Sequence, residues 1–175
     1  MKCQKLMTDS FEQVLAEVER LLNGLSRDDV LQQPSRDSNS IAWLVWHLTR
    51  IQDFCISRLM GEEQLWVKDG WHNRFGRKSD PTDVGSGHGP AEVAALQTPD
   101  AETLLDYLRA VAGRTQKYLS SLKASDFDRK VEDSYFKPPP TVGAYLVGVL
   151  SDNLQHAGQA GYVRGLIKGQ GWQPF

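Results

Sequence analysis

Four stretches of this chain place their apolar residues at helical intervals, and none of the segments between them alternates as a strand would. In residues 9–25, Phe11, Val14, Leu15, Val18, Leu21, Leu22 and Leu25 follow the 3, 1, 3, 3, 1, 3 spacing of an amphipathic helix. Asp9 or Ser10 stands where an N-cap is expected. A second helix is predicted from a Ser40 cap to about Met60, ending at Gly61, with the stripe Ile41, Leu44, Val45, Leu48, Ile51, Cys55 and Leu59. A third takes Thr98 as its cap and Pro99 as its first helical residue, with Leu104, Leu105, Leu108, Val111, Ala112, Tyr118, Leu119 and Leu122 on one face. Thr141 opens a fourth that runs to about Lys168, before Gly169. Four long amphipathic helices predict a single all-α domain over residues 1–175, a four-helix bundle.

The connections suggest how the helices are ordered. Residues 61–97, rich in Gly, Pro, Asp and Ser, are far longer than an ordinary inter-helix loop. Within them only "GPAEVAAL", with Pro90 in its first turn, reads as a short helix. A connection of this length can travel the ~30 Å of a 20-residue helix. A long crossover between the second and third helices suits two parallel neighbours, hence an up-down-down-up bundle. "KASDFDRKVEDSYFKPPP" is a polar linker ended by three prolines.

Composition removes several classes of function. A formal charge of −2, a pI of about 6.1 and no basic run argue against nucleic acid as a partner. No stretch approaches the ~18 apolar residues of a membrane span. The start, MKCQKLMTDS, lacks the apolar run of a signal peptide, so a cytoplasmic protein is expected. The two cysteines do not form a disulfide framework, and Cys55 reads as a small core residue.

Chemistry concentrates in "SDNLQHAGQAGYVRG", residues 151–165. Asp152 and His156 are four apart and share a helix face with core positions such as Tyr145, Val149 and Val163. Burying ionisable groups is costly unless they are paired or bound to something. His47 lies on the flank of the second helix's stripe, about 80° from its centre, where a bundle helix presents a polar group to a central cavity. Two imidazoles and a carboxylate from facing helices suit a divalent transition metal, with positions left open for substrate. Spacing alone equally allows a hydrogen bond between Asp152 and His156 with no metal. His72 and His88 are candidates for catalytic groups, as a further ligand or a general base on the crossover, or are solvated loop residues. "WHNRFG" offers Trp71, Arg74 and Phe75 as a lid over a small ligand. Trp43 and Trp46 are expected to pack on the bundle or on a partner subunit. Arg164 reads as an exposed helix-end charge, with an anionic substrate as the other reading.

Three stretches carry a resemblance over nearly the whole chain: "LSRDDVLQQPSRDSNSIAWLVWHLTRIQDF", "DGWHNRFG" with "DVGSGHGPAEVAAL", and "LQHAGQAGYVRGL". They resemble the DinB-like, or YfiT-like, metalloenzyme superfamily, in a branch of actinobacterial look. The resemblance implies an up-down-down-up bundle and a divalent metal, zinc or nickel first and iron next. In the family that metal is held by one histidine of the second helix and an H-x-x-x-H pair of the fourth. His47 and His156 match two of these positions. The third is Asp152 here, which either keeps the site as a two-histidine, one-carboxylate set or weakens it. Relatives include mycothiol-dependent maleylpyruvate isomerase and bacillithiol S-transferases. The resemblance thus implies a small-molecule substrate, mycothiol as a possible cosubstrate, and a homodimer. Three functions are carried forward: a thiol-dependent transferase or isomerase, a metal-dependent hydrolase of a small amide or ester using His72 or His88 as proton carriers, and a non-catalytic binding bundle.

Overall fold

The computed structural model describes residues 3–98, 100–132, 136–169 and 171–173. Within them the chain forms α1 (Cys3–Leu22), α2 (Arg27–Leu31), α3 (Ile41–Met60), α4 (Leu65–Lys68), α5 (Trp71–Arg74), α6 (Pro90–Ala95), α7 (Ala101–Ser121), a 3-10 turn (Ala124–Asp128) and α8 (Val142–Lys168). The β-type pairing among these residues is an isolated bridge between Lys130 and Thr141. The four long helices touch around a ring, α3 against α7 and α8, α1 against the same two. None of the described helices is long and apolar enough to cross a membrane.

The helix ends follow local chemistry, with three departures from the sequence reading. Ser40 Oγ accepts the Trp43 N–H, Thr141 Oγ1 accepts the Ala144 N–H, and Gly61 closes α3 at φ 68°, all as expected. The first helix, however, starts at Cys3, not at an Asp9 or Ser10 cap. Buried Met7, one turn before Phe11, extends the apolar stripe upstream, and Ser10 Oγ bonds back to the Leu6 carbonyl. The same helix stops at Leu22, and Ser26 then caps the short α2, which the spacing did not suggest. Asp100, not Thr98, caps α7 by accepting the Thr103 N–H at 2.7 Å; Pro99 lies outside the described residues.

The crossover is more structured than expected, because α3 reaches out to it with buried charge. Arg50, fully buried, donates to the carbonyls of Asp83 (3.0 Å) and Pro81 (3.1 Å), to Gln64 Oε1 (2.8 Å) and to the Tyr107 hydroxyl (3.2 Å). Asp53, also fully buried, accepts the N–H groups of Leu65 and Trp66, capping α4 from another helix. It also accepts the Tyr107 hydroxyl and lies 3.5 Å from Arg50. A buried ion pair is tolerable only when its remaining donors and acceptors are satisfied, and the crossover backbone satisfies them here. Burial drives the Tyr107 pKa well above its ordinary value, so it serves as a neutral hydroxyl.

Around this network Trp46, Trp66, Trp71, Phe75 and Tyr107 form an aromatic layer, with Trp71 and Tyr107 ring centroids 5.0 Å apart. Fully burying a large apolar side chain is worth ~1.5–3 kcal/mol, so Trp66, Trp71 and Phe75 together anchor the crossover on the helices. Trp71 and Phe75 are therefore core and not a lid, and Trp43 and Trp46 are buried within the bundle. Arg164 is not an exposed helix-end charge: it donates to the carbonyls of Leu21 and Asn23, closing the end of α1, and lies over Trp172.

Candidate metal centre

His47 and the Asp152–His156 pair meet where the middle of α3 faces the middle of α8. One ligating atom from each lies within 4.8 Å of the others. His47 Nε2 is 4.0 Å and His156 Nε2 3.5 Å from Asp152 Oδ1. The two imidazoles are perpendicular, with centroids 4.6 Å apart. Trp43 stacks on His47 at 4.7 Å and meets His156 edge-on, fixing both rings.

The outer nitrogen of each ring has its own acceptor. His47 Nδ1 bonds to the Val84 carbonyl on the crossover, and His156 Nδ1 to Gln159 Oε1 at 2.8 Å. An Nδ1–H spent on an oxygen leaves the lone pair on Nε2, and both Nε2 atoms face Asp152. A hydrogen bond from the outer nitrogen of this kind sets the tautomer of a ligating histidine. Asp152 Oδ2 is buried with no hydrogen-bond partner, an orphaned acceptor beside two imidazole lone pairs. A divalent cation of the zinc type fits that donor set: His47 Nε2, His156 Nε2 and Asp152 carboxylate oxygen, with positions left open.

Electrostatics separate the two histidines. Burial pulls the His47 pKa below its ordinary value, against the opposing pull of the Val84 carbonyl and Asp152. Asp152 raises that of His156, because its carboxylate would accept a hydrogen bond from Nε2 of the protonated ring, partly offset by burial.

Val84, Gln159 and the loop geometry behind Val84 were not found by sequence reasoning. Gln159 follows His156 by three residues, so helical spacing does signal it. Val84 acts through its backbone and leaves no signal in its side chain. Gly85 does leave one: at φ 91° it presses against the site, and a Cβ there would stand 2.8 Å from His47 Nδ1 and 3.0 Å from Trp46. Only glycine lets the crossover backbone approach His47 this closely.

His88 and His72 are placed differently. His88 Nδ1 accepts the Trp43 indole N–H at 3.2 Å, its Nε2 faces Asp83 Oδ1 at 3.3 Å, and its ring stacks on Trp46. Asp83 also takes both Nε and Nη2 of Arg77. With both nitrogens engaged, His88 buttresses the loop that carries Val84. His72 packs edge-on against Trp66 at 6.3 Å, in the aromatic layer and outside the three-residue group.

A cavity of about 650 Å3, within the usual range for small-ligand pockets, opens beside the group. Asp152 belongs to both. Ile51, Phe54, Val84, Phe136 and Val149 supply much of the wall. Cys55 packs against the core as expected and lines the cavity as well, and burial raises its thiol pKa.

The model of the DinB superfamily matches residues 10–160. The crystal structure of a conserved protein from Enterococcus faecalis is similar to this chain at 29% identity and a TM-score of 0.88, covering 97% of this chain and 99% of that one. No curated protein matches.

Proposed function

The chain belongs to the DinB superfamily, and on that premise we propose that it is a divalent-metal-dependent enzyme that joins a small thiol to, or isomerises with its help, a small electrophile. The observation that carries the reading is the convergence of His47 Nε2, His156 Nε2 and the orphaned carboxylate of Asp152 at the edge of a ligand-sized cavity. A metal held there, zinc or nickel first and iron next, supplies a Lewis acid that lowers the pKa of a thiol.

The chain's own residues do the rest. The Val84 carbonyl and Gln159 hold both imidazoles with Nε2 forward. Asp152 brings one negative charge, which leaves a divalent site net positive and attractive to a developing thiolate. The mostly apolar cavity wall lies beside the site where the sulfur and the electrophile would meet. Mycothiol is the cosubstrate suggested by the resemblance, an up-down-down-up helix order accompanies the reading, and a homodimer is proposed with it. Val147, Leu154, Tyr162 and Leu166 leave an exposed apolar stripe on α8 that supports the dimer.

Hydrolysis of an amide or ester would call on His88 or His72 to carry protons. His88 has both ring nitrogens engaged, which favours thiol chemistry over hydrolysis. The test is metal analysis of untagged protein purified without chelator, followed by a thiol-conjugation assay before and after dialysis against EDTA. About one equivalent of metal per chain, with conjugation lost on dialysis and restored by zinc, is expected. Metal with hydrolysis alone, or no metal at all, would overturn the reading.

A further inference from the structure

Deepening the reading above, which takes the cavity as the place where the substrate's body lies, we infer that the wall of this cavity, away from the metal group, selects an uncharged, predominantly apolar body over an anionic one. Its polar lining among the described residues is confined to Thr82, Ser86, Cys55, Tyr145 and Asp152, and Asp152 is the one charged group. Among the described residues no lysine or arginine lines it. Arg58, near its margin on α3, lies over the Phe54 ring at 5.4 Å and hydrogen-bonds Tyr145. Burial raises the pKa values of both Cys55 and Tyr145, so both present neutral groups.

An anionic body against this wall would lose its hydration with no lysine or arginine among the described lining residues to pair with it; Arg58 behind the wall is already held by Tyr145, and once the metal is removed the near end presents the Asp152 carboxylate. A hydroxyl or carbonyl would find Thr82, Ser86 or the Tyr145 hydroxyl, and a ring or branched chain would find the aliphatic and aromatic wall. The volume of about 650 Å3 accommodates a two-ring body. A polyhydroxylated molecule would leave most of its hydroxyls unpaired inside, so a sugar-bearing thiol would reach the site with its sulfur end while its polar part stays outside.

The test uses a matched pair, 2-naphthylmethanol and 2-naphthoate, titrated calorimetrically into the protein as purified and after chelation with EDTA. Chelated protein isolates the cavity from any metal that would ligate the carboxylate. There, 2-naphthylmethanol is expected to bind at least tenfold tighter than 2-naphthoate. Gly148, on the cavity lining, has open space around its would-be Cβ, so Gly148→Leu fills the cavity without disturbing α8. That variant should melt no lower than the parent and lose at least tenfold in 2-naphthylmethanol affinity. Equal or tighter binding of 2-naphthoate to chelated protein, or undiminished 2-naphthylmethanol binding by a folded Gly148→Leu, would overturn the inference. Zinc that fails to bind while 2-naphthylmethanol still does would overturn the metal reading and leave the selectivity of the cavity standing.

Discussion

Asp152 stands in two relationships, one to the imidazoles of His47 and His156 and one to the cavity, and its substitution separates them. If it ligates a metal, Asp152→Ala should lower zinc affinity by at least about tenfold to a hundredfold, the scale that even outer-shell losses reach. Asp152→His should hold zinc at least as well as the parent. If it only hydrogen-bonds His156, Asp152→Ala would cost on the order of 1–3 kcal/mol of stability and leave metal-dependent stabilisation unchanged. Zinc titrations and melts of all three proteins, with and without metal, decide between these outcomes. Cys55 offers a pH-dependent test. Its thiol is an acid whose pKa burial has raised, so it stays protonated where an ordinary thiol, near pH ~8.5, is ionising. The thiolate is the reactive form, so alkylation of Cys55 should begin at higher pH than that of a free thiol. Iodoacetamide at pH 8 with peptide mapping should label exposed Cys3 first, and equal rates would contradict the placement of Cys55.

At the scale of the elements, the register of α8 against α3 decides whether the site exists. A buried chain sets it: Asn153 Nδ2 donates to Gln52 Oε1 at 2.6 Å, Gln52 Nε2 to Thr115 Oγ1 at 2.7 Å, and Thr115 to the Val111 carbonyl. Asn153 is the immediate neighbour of Asp152 and is fully buried. A slip of one residue would rotate Asp152 about 100° away from His47. Asn153→Ala leaves the Gln52 amide oxygen unpaired and should cost about 1–3 kcal/mol. Zinc affinity should fall with it, although residue 153 is no ligand. A melt and a zinc titration of this variant check both effects; lost stability with unchanged affinity would mean that register is held elsewhere.

For the molecule as a whole, α8 exposes Val147, Leu154, Tyr162 and Leu166 over an arc of roughly 120°. The buried tryptophans of α3 give no such surface. Sedimentation is expected to show a dimer at micromolar concentration, dissociated by Tyr162→Glu; a parent monomer at high micromolar concentration would remove the stripe as an interface. The residue pattern was sufficient for the helical class and for the apolar faces of α1 and α7, because helical spacing of apolar residues reports burial along one element at a time; it gave α3 a single stripe, whereas Ile41 through Arg50 are all buried and Ile51, Cys55 and Leu59 only partly so. It also marked His47, Asp152 and His156 as inward-facing. It could not place α4, whose first turn is capped by the buried Asp53 of a different helix, or α5, whose Trp71 packs on Tyr107 of α7. Nor did it separate His88 and His72 from the site, or show that Trp71 and Phe75 of "WHNRFG" are core. Those outcomes depend on which partners the crossover meets in space: Trp43 and Asp83 for His88, Trp66 for His72, Tyr107 for Trp71. A helix's own residues fix its apolar face through 3.6-residue geometry, whereas a ring nitrogen's role is fixed by whatever tertiary packing puts within about 3 Å of it.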